Sequence, residues 1–306
     1  MYTFYTVFGS PVLHSKSPQL FAPLLDDLSV TYTRIRPRSA RDLIQLVKTL
    51  KIKGGSVTSP FKESIVSMVD KVSQDALAIG AINCIRNNNG LIEGHNTDHQ
   101  GVTGALKEAG LSLRGARILV LGAGGAARAA VFGLVNAGAQ VSISNRTSSR
   151  AQSLAYTFGG SFVPWENPGR LPRYDAIVSA LLPEAIPPFM ESLNYGLLLD
   201  AIYKPSAVTA FTEQQGIKII RGERWLVHQG VEAAAFYMGV KTDASVLSRQ
   251  LNVPPDNKEP DIFVLTAKNI NEFSRKPHDL VISAAGLTND TINALINEEK
   301  HLAFGS

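Results

Sequence analysis

The segment from Arg117 to Ala130 reads R-I-L-V-L-G-A-G-G-A-A-R-A-A. An apolar run suited to a buried strand ends at Gly122, and Gly124 and Gly125 come just before a stretch of small, helix-forming residues. One glycine permits a tight turn off the strand, and a second lets the backbone come close to a pyrophosphate. The helix that follows then offers free N–H groups and the positive end of its dipole to the phosphates. Ala126 stands in its first turn, and Ala127, Ala129 and Ala130 keep the helix near the sheet. The next strand ends V-S-I-S-N-R-T-S-S-R. A site for an unphosphorylated adenosine ribose carries Asp or Glu there, bonding the 2′-hydroxyl. This chain has Asn145, Arg146, Thr147 and Arg150 instead. Two guanidiniums pair with a 2′-phosphate and a threonine hydroxyl adds a donor, so the residues point to NADP as cofactor. Ile202 and Gly222 are counted with them as cofactor contacts.

Four other clusters place polar side chains beside turns. They are His14, Ser15, Lys16 and Ser17; Thr58 and Lys62; Asn83, Asn96 and Asp98; and Gln229. The elements that must position them alternate between strand and helix. Tyr2–Phe8 reads as a strand, Pro18–Leu28 as a helix, Val30–Ile35 as a strand, Ala40–Leu50 as a helix, Gly55–Thr58 as a strand and Phe61–Val72 as a helix. Residues 82–93 read as a hairpin turning at Asn87, Asn88, Asn89 and Gly90. A helix is expected over His99–Ala109, opened by the capping oxygens of Asn-Thr-Asp. Strands at 117–121, 140–144, 174–180, 196–201 and 218–220 follow, with helix-length gaps between them. Val227–Met238 and Ala244–Leu251 read as helices, 253–260 as a linker, Ile262–Leu265 and Leu280–Ser283 as strands, and Asn289–Glu298 as a helix. This alternation predicts an α/β fold of two domains with largely parallel sheets. The first is a discontinuous substrate domain, 1–98 with 226–250. The second is a Rossmann-type NADP-binding domain, 99–225. Residues 251–306 form an extension whose role the sequence does not show. The segments 174–186 and 278–290 echo one another, which reads as two buried strands of ordinary composition.

The 306 residues suit two domains of roughly 150 each. Apolar residues make up 44% and charged residues 18%, the composition of a folded globular chain. The net charge of +4 favours anionic small molecules, and the scattered charges, with no basic run, argue against nucleic acid. A single cysteine, Cys84, excludes an internal disulfide and a cysteine-based zinc site, and reads as a small buried residue. There is no basic-then-apolar leader and no apolar run near about 18 residues, so no membrane association and a cytoplasmic setting are expected, with the chain a monomer or homodimer.

Taken in order, G-x-P-V-x-H-S-x-S-P at 9–18, V-T-x-P-F-K at 57–62, I-G-A-x-N at 79–83, N-T-D-x-x-G at 96–101, G-A-G-G-A-A-R-A at 122–129 and N-R-T at 145–147 resemble the shikimate dehydrogenase family. The resemblance covers about residues 4–240. G-G-S-V-T and the Y-K-P at 203–205 are similar to that family's fungal multidomain branch. The resemblance implies reversible reduction of 3-dehydroshikimate to shikimate with NADPH. It makes Lys62 and Asp98 the catalytic pair, Ser15 and Ser17 the binders of the substrate carboxylate with Tyr203 adding a phenolic donor, and Thr58, Asn83, Asp98 and Gln229 the binders of the hydroxyls. The residue types suit these roles. Hydride addition to a ketone builds an alkoxide that needs a proton donor, and an ammonium also stabilises the developing charge. Neutral hydroxyls at a helix start bind a carboxylate. His14 reads as a structural loop residue. The chain departs from the family pattern at Phe21-Ala22, where His-Asn is usual, at Ser56, where Asn is usual, and at Cys84, where Thr is usual. These departures leave open quinate as a substrate, or a weakened enzyme. The fungal branch leaves open a non-catalytic, ligand-sensing role and membership of a larger polypeptide.

Overall fold

The computed structural model describes residues 3–25, 29–251, 260–275, 278–284 and 286–304. Its contacts divide the chain into two units: residues up to Asn96 together with those from Gly230 onward, and Thr97–Gln229. Asp98 and Gln229 therefore fall in the second unit, where the sequence reading gave 1–98 and 226–250 to the first. The tail beyond 251 belongs to the first unit.

In chain order the first unit opens with β1 (Thr3–Phe8), α1 (Ser17–Phe21), β2 (Val30–Arg36), α2 (Ala40–Thr49), β3 (Gly54–Val57), α3 (Phe61–Ser64), β4 (Lys71–Val72), α4 (Gln74–Ile79), β5 (Cys84–Asn88) and β6 (Leu91–His95). The second unit holds α5 (Asp98–Glu108), β7 (Arg117–Leu121), α6 (Gly125–Asn136), β8 (Gln140–Ser144), α7 (Ser148–Phe158), β9 (Ser161–Phe162), β10 (Ala176–Ser179), β11 (Leu197–Asp200), α8 (Ala207–Gln214), β12 (Lys218–Ile220) and most of α9 (Gly222–Ala233). The chain returns to the first unit through a π-helical turn (Ala234–Met238), α10 (Ala244–Ser248), β13 (Ile262–Leu265), β14 (Leu280–Ser283) and α11 (Asn289–Phe304).

The sheet of the second unit runs β12-β11-β10-β7-β8-β9, with its strand pairs parallel. Strands covered on both faces read as continuous apolar runs, and β7 is one. Ile118 and Val120 pack with Val131 and Leu134 on one side, and Leu119 and Leu121 pack with Tyr174 and Val208 on the other. Full burial of each such side chain contributes roughly 1.5–3 kcal/mol. The chain leaves β7 to one side through β8 and returns to its other side at β10. The carboxyl ends of β7 and β10 are thus the switch point at which open α/β sheets bind ligands.

The sheet of the first unit has the order β13-β14-β2-β1-β3-β5-β6-β4. β1 lies between β2 and β3, parallel to both. β5 and β6 form an antiparallel hairpin whose central residues, Asn89 and Gly90, both have positive φ, 53° and 98°, the primed turn that suits twisted strands. β14 adds to β2 in parallel, Leu280 beside Arg34 and Ile282 beside Arg36. The core under this sheet joins Phe4, Phe8, Ile35, Leu43 and Val47 to Phe273 and Val281 of the tail.

Several elements differ from the sequence reading for local reasons. The helix expected over Pro18–Leu28 ends at Phe21 and passes into a 3-10 turn over Ala22–Leu24, because Pro23 lacks an N–H and disfavours helix at the residue before it; residues 26–28 lie outside the described set. The helix expected over Phe61–Val72 lasts one turn. Beyond it Asp70 exchanges two hydrogen bonds with Ile92, backbone N–H to carbonyl at 2.9 Å and Ile92 N–H to Oδ2 at 2.7 Å, so the hairpin captures the chain. The linker reading of 253–260 lies outside the described residues up to Glu259. The echoing segments supply β10 and β14, each fully buried, in different sheets.

Candidate active site

In the second unit, Gly122 leaves β7 with φ at +119°. Its N–H donates to the Ser144 carbonyl at 2.8 Å, and a Cβ there would stand 3.0 Å from the Ala180 carbonyl oxygen. The turn thus demands glycine on two counts. Gly124 caps α6 in an extended conformation and no side chain caps the helix, so the free N–H groups of a twelve-residue helix remain for an anion. At the end of β8 the Asn145 side-chain amide donates to the Thr147 carbonyl at 3.1 Å, and Thr147 stands at the start of α7. Arg146 and Arg150 are exposed. No carboxylate stands at this strand end. A dinucleotide carrying a 2′-phosphate fits this donor set, because two guanidiniums replace the carboxylate that an unphosphorylated ribose requires. Ile202 and Gly222 lie side by side: a Cβ on Gly222 would stand 2.9 Å from the Ile202 carbonyl oxygen, so α9 starts hard against the chain leaving β11.

The same unit brings Asp98, Tyr203 and Gln229 together. Asp98 is the first residue of α5 and is 3% exposed. Its carbonyl accepts from the Trp225 indole N–H at 3.0 Å. A Cβ on Gly101 would stand 2.6 Å from Trp225 Cδ1 and 2.9 Å from Gln229 Cβ, so α5 and α9 touch at that glycine. Gln229, one turn beyond Trp225, faces the same way. Tyr203 feels the carboxylates of Asp98 and Glu223. Burial first, then those two charges, holds its phenol well above its ordinary range, so it remains a neutral donor. Sequence reasoning missed Trp225, which bonds the Asp98 carbonyl, and Glu223, whose charge acts on Tyr203. The helix read over Val227–Met238 begins beyond both residues.

In the first unit, Ser15 and Ser17 follow β1, with Ser17 opening α1; Thr58 and Lys62 follow β3, with Lys62 in α3; Asn83 precedes β5; and backbone hydrogen bonds tie these segments together. The Thr58 N–H donates to the Phe8 carbonyl at 2.8 Å and the Ser10 N–H to the Ser59 carbonyl at 3.0 Å. The Asn83 carbonyl accepts from the Val57 N–H at 2.6 Å, and the Lys62 carbonyl accepts from the Ile82 N–H at 2.8 Å. Ser15 and Ser17 are buried; the Ser15 hydroxyl donates to Ser17 Oγ at 3.2 Å. Arg34 donates through Nε and Nη2 to the Ser15 carbonyl at 3.1 and 2.9 Å. Arg34 was also missed, although it lies within the run Val30–Ile35 read as a strand, whose alternation continues to put Arg34 and Arg36 on one face. His14 is exposed.

Three of the departures from the family pattern converge here. Phe21 stacks on Tyr32 with ring centroids 5.0 Å apart. The Tyr32 hydroxyl donates to Ser56 Oγ at 3.0 Å and lies 3.2 Å from the Tyr237 hydroxyl, which is 3.3 Å from Ser56 Oγ. Cys84 is paired with Ser56 across β3 and β5 and bonds the His95 carbonyl at 3.6 Å. Burial pushes the Tyr32 phenol up to about 12, so the cluster is a closed set of neutral hydroxyls.

The family model for the shikimate dehydrogenase substrate-binding domain matches residues 7–85, and that for shikimate/quinate 5-dehydrogenase matches 104–186. An NADP-dependent shikimate dehydrogenase of Aquifex aeolicus is 35% identical over 259 residues, spanning 81% of this chain and 95% of that protein. This chain belongs to the shikimate dehydrogenase family. Another NADP-dependent shikimate dehydrogenase, from Halobacterium salinarum, is 35% identical over 81% of this chain and 97% of its own. Among solved structures, the Thermus thermophilus shikimate 5-dehydrogenase in complex with NADP(H) and shikimate superposes with a TM-score of 0.72 at 34% identity, covering 81% of this chain and 98% of that one. The family's two-domain α/β fold, with a substrate domain and a Rossmann-type domain, is thus the fold of this chain.

Proposed function

We propose that this protein is an NADP-dependent shikimate dehydrogenase, interconverting 3-dehydroshikimate and shikimate. The observation that carries this reading is the cofactor half of the second unit. Its strand, glycine turn and uncapped helix come in order, and its ribose end offers Arg146 and Arg150 with no carboxylate. Membership of a family whose relatives carry this activity supports the substrate.

In this reading the backbone N–H groups of Gly124, Gly125 and Ala126 hold the pyrophosphate. Asn145, Arg146, Thr147 and Arg150 hold the 2′-phosphate, and Ile202 and Gly222 line the nicotinamide end. Bound NADPH supplies the hydride. Ser15 and Ser17 receive the substrate carboxylate, with the neutral Tyr203 phenol as a further donor. Thr58, Asn83 and Gln229 bond the ring hydroxyls, which makes analogues lacking them poor substrates. As the carbonyl carbon takes the hydride, its oxygen becomes an alkoxide and takes a proton from the Lys62 ammonium; solvent restores that proton. Asp98, the other member of the pair that the family resemblance implies, bonds a substrate hydroxyl. In the oxidative direction Lys62 is the base. Both members of the catalytic pair are present in this chain, which favours an enzyme over a ligand-sensing protein.

The test is absorbance at the NADPH band with shikimate and NADP, run beside quinate and NAD. Turnover with shikimate and NADP is expected to be the fastest combination. Faster quinate oxidation would move the assignment to quinate, and shikimate binding without turnover in any combination would make the chain a binding protein.

A further inference from the structure

The first unit buries a carboxylate that the proposed reaction does not use. Glu299, on α11, has no exposed surface. Its Oε2 accepts from the Leu13 N–H at 2.8 Å and both its oxygens accept from the Val12 N–H at 3.2 Å. Its Oε1 pairs with Arg36 Nη1 at 3.0 Å. Arg36 in turn donates through Nε to Ser10 Oγ at 3.0 Å and pairs through Nη2 with Glu298, which is half exposed. Two positions earlier on β2, Arg34 holds the Ser15 carbonyl and the Gln19 side chain. The segment that carries Ser15 and Ser17 is therefore staked at Ser10, at the Val12 and Leu13 amides and at Ser15, by one strand and one helix.

Val12 and Leu13 are buried, 0% and 6% exposed. Without Glu299 their N–H groups would lose the acceptor the structure gives them, a costly state for a buried amide. Bonds to an ionised acceptor are shorter and roughly twice as strong as neutral ones. A carboxylate away from water needs a paired cation and further donors, and here the loop itself supplies the donors. The charge and the loop conformation therefore depend on one another. The strand that carries both arginines is also the one to which the tail strand β14 adds, at Arg34 and Arg36.

We propose that Glu299 is a positioning residue for the carboxylate-binding serines: the tail helix sets the conformation of segment 10–17 and thereby the affinity for substrate. This rests on the reading that Ser15 and Ser17 receive the substrate carboxylate. The test compares the full chain with its Glu299→Gln and Glu298→Gln variants, using shikimate and NADP for kinetics and hydrogen exchange of a peptide spanning 10–17 as a readout independent of turnover. Glu299→Gln should raise KM for shikimate by about tenfold or more, with kcat and the KM for NADP within about threefold of the parent. Its 10–17 peptide should exchange at least about tenfold faster. Glu298→Gln should match the parent in both. Unchanged exchange and unchanged KM in Glu299→Gln would overturn the proposal, as would an equal loss of kcat, shikimate affinity and NADP affinity, or the same KM shift in Glu298→Gln. If Glu299→Gln does not fold, Glu299→Asp keeps the charge, withdraws it by one methylene and is read in the same way. If the parent fails to oxidise shikimate, the functional reading falls and the exchange measurement alone decides whether Glu299 holds the segment.

Discussion

At the scale of the residue, the proposed chemistry concentrates in a few side chains whose roles separate in kinetics. Lys62→Ala should leave the dissociation constant for shikimate within about tenfold of the parent while kcat falls by about a hundredfold or more, the usual contribution of a positioned proton donor. Near-normal kcat in that variant would remove the lysine from the mechanism. Arg146→Ala should raise the KM for NADP far more than that for NAD, because only the phosphorylated ribose offers a guanidinium a partner; equal rises would take the 2′-phosphate away from Arg146. The glycine turn between β7 and α6 was legible because its residue types are tied to a local sequence order: strand, glycines, helix. Glu299 was not legible. It sits in a run of two glutamates and a lysine on a helix with no strong apolar face, and only packing against a loop 286 residues away in the chain makes it buried. Ser56 and Phe21 were noticed as departures, yet their joint closure with Tyr32 and Tyr237 depends on contacts that one-dimensional spacing does not encode.

At the scale of the element, the strand read at 117–121 is β7 and the small residues after the glycines form α6, since buried parallel strands and alanine-rich helices have strong local signals. Its hinge is Gly122. Gly122→Ala must hold a Cβ at φ +119° and 3.0 Å from a carbonyl oxygen, so the variant should lose roughly 1–3 kcal/mol of stability and weaken NADP. Thermal unfolding and a cofactor titration measure both, and a variant as stable as the parent would mean the turn relaxes elsewhere. The stretch Phe61–Val72 was misread as one helix because its apolar spacing suits one. Two hydrogen bonds from Asp70 to the hairpin and the Ser73 side chain, which accepts from the Ala76 N–H at 3.3 Å, break the chain into a turn, a strand and a second helix.

At the scale of the whole molecule, a buried carboxyl biases stability with pH. Burial raises Asp200 above its ordinary 3.8, against the hydrogen bonds that pull it down. A folded-state value above the unfolded one means the native chain binds the proton more tightly. The associated stability is full below that ordinary value and is lost as pH rises through the raised one. Asp200→Asn removes its share, so the variant's melting temperature relative to the parent should climb as pH rises above about 4. A flat or falling difference would show that Asp200 titrates alike in both states. The tail strand has a separate bearing on biogenesis. Thr97–Gln229 is one uninterrupted stretch and holds every strand of its sheet, whereas the outer neighbour of β2, β14, is translated only near residue 280. The central stretch can therefore mature on the ribosome while the amino-terminal strands wait, their open margin a hazard for pairing with other chains until the last helix and strand arrive.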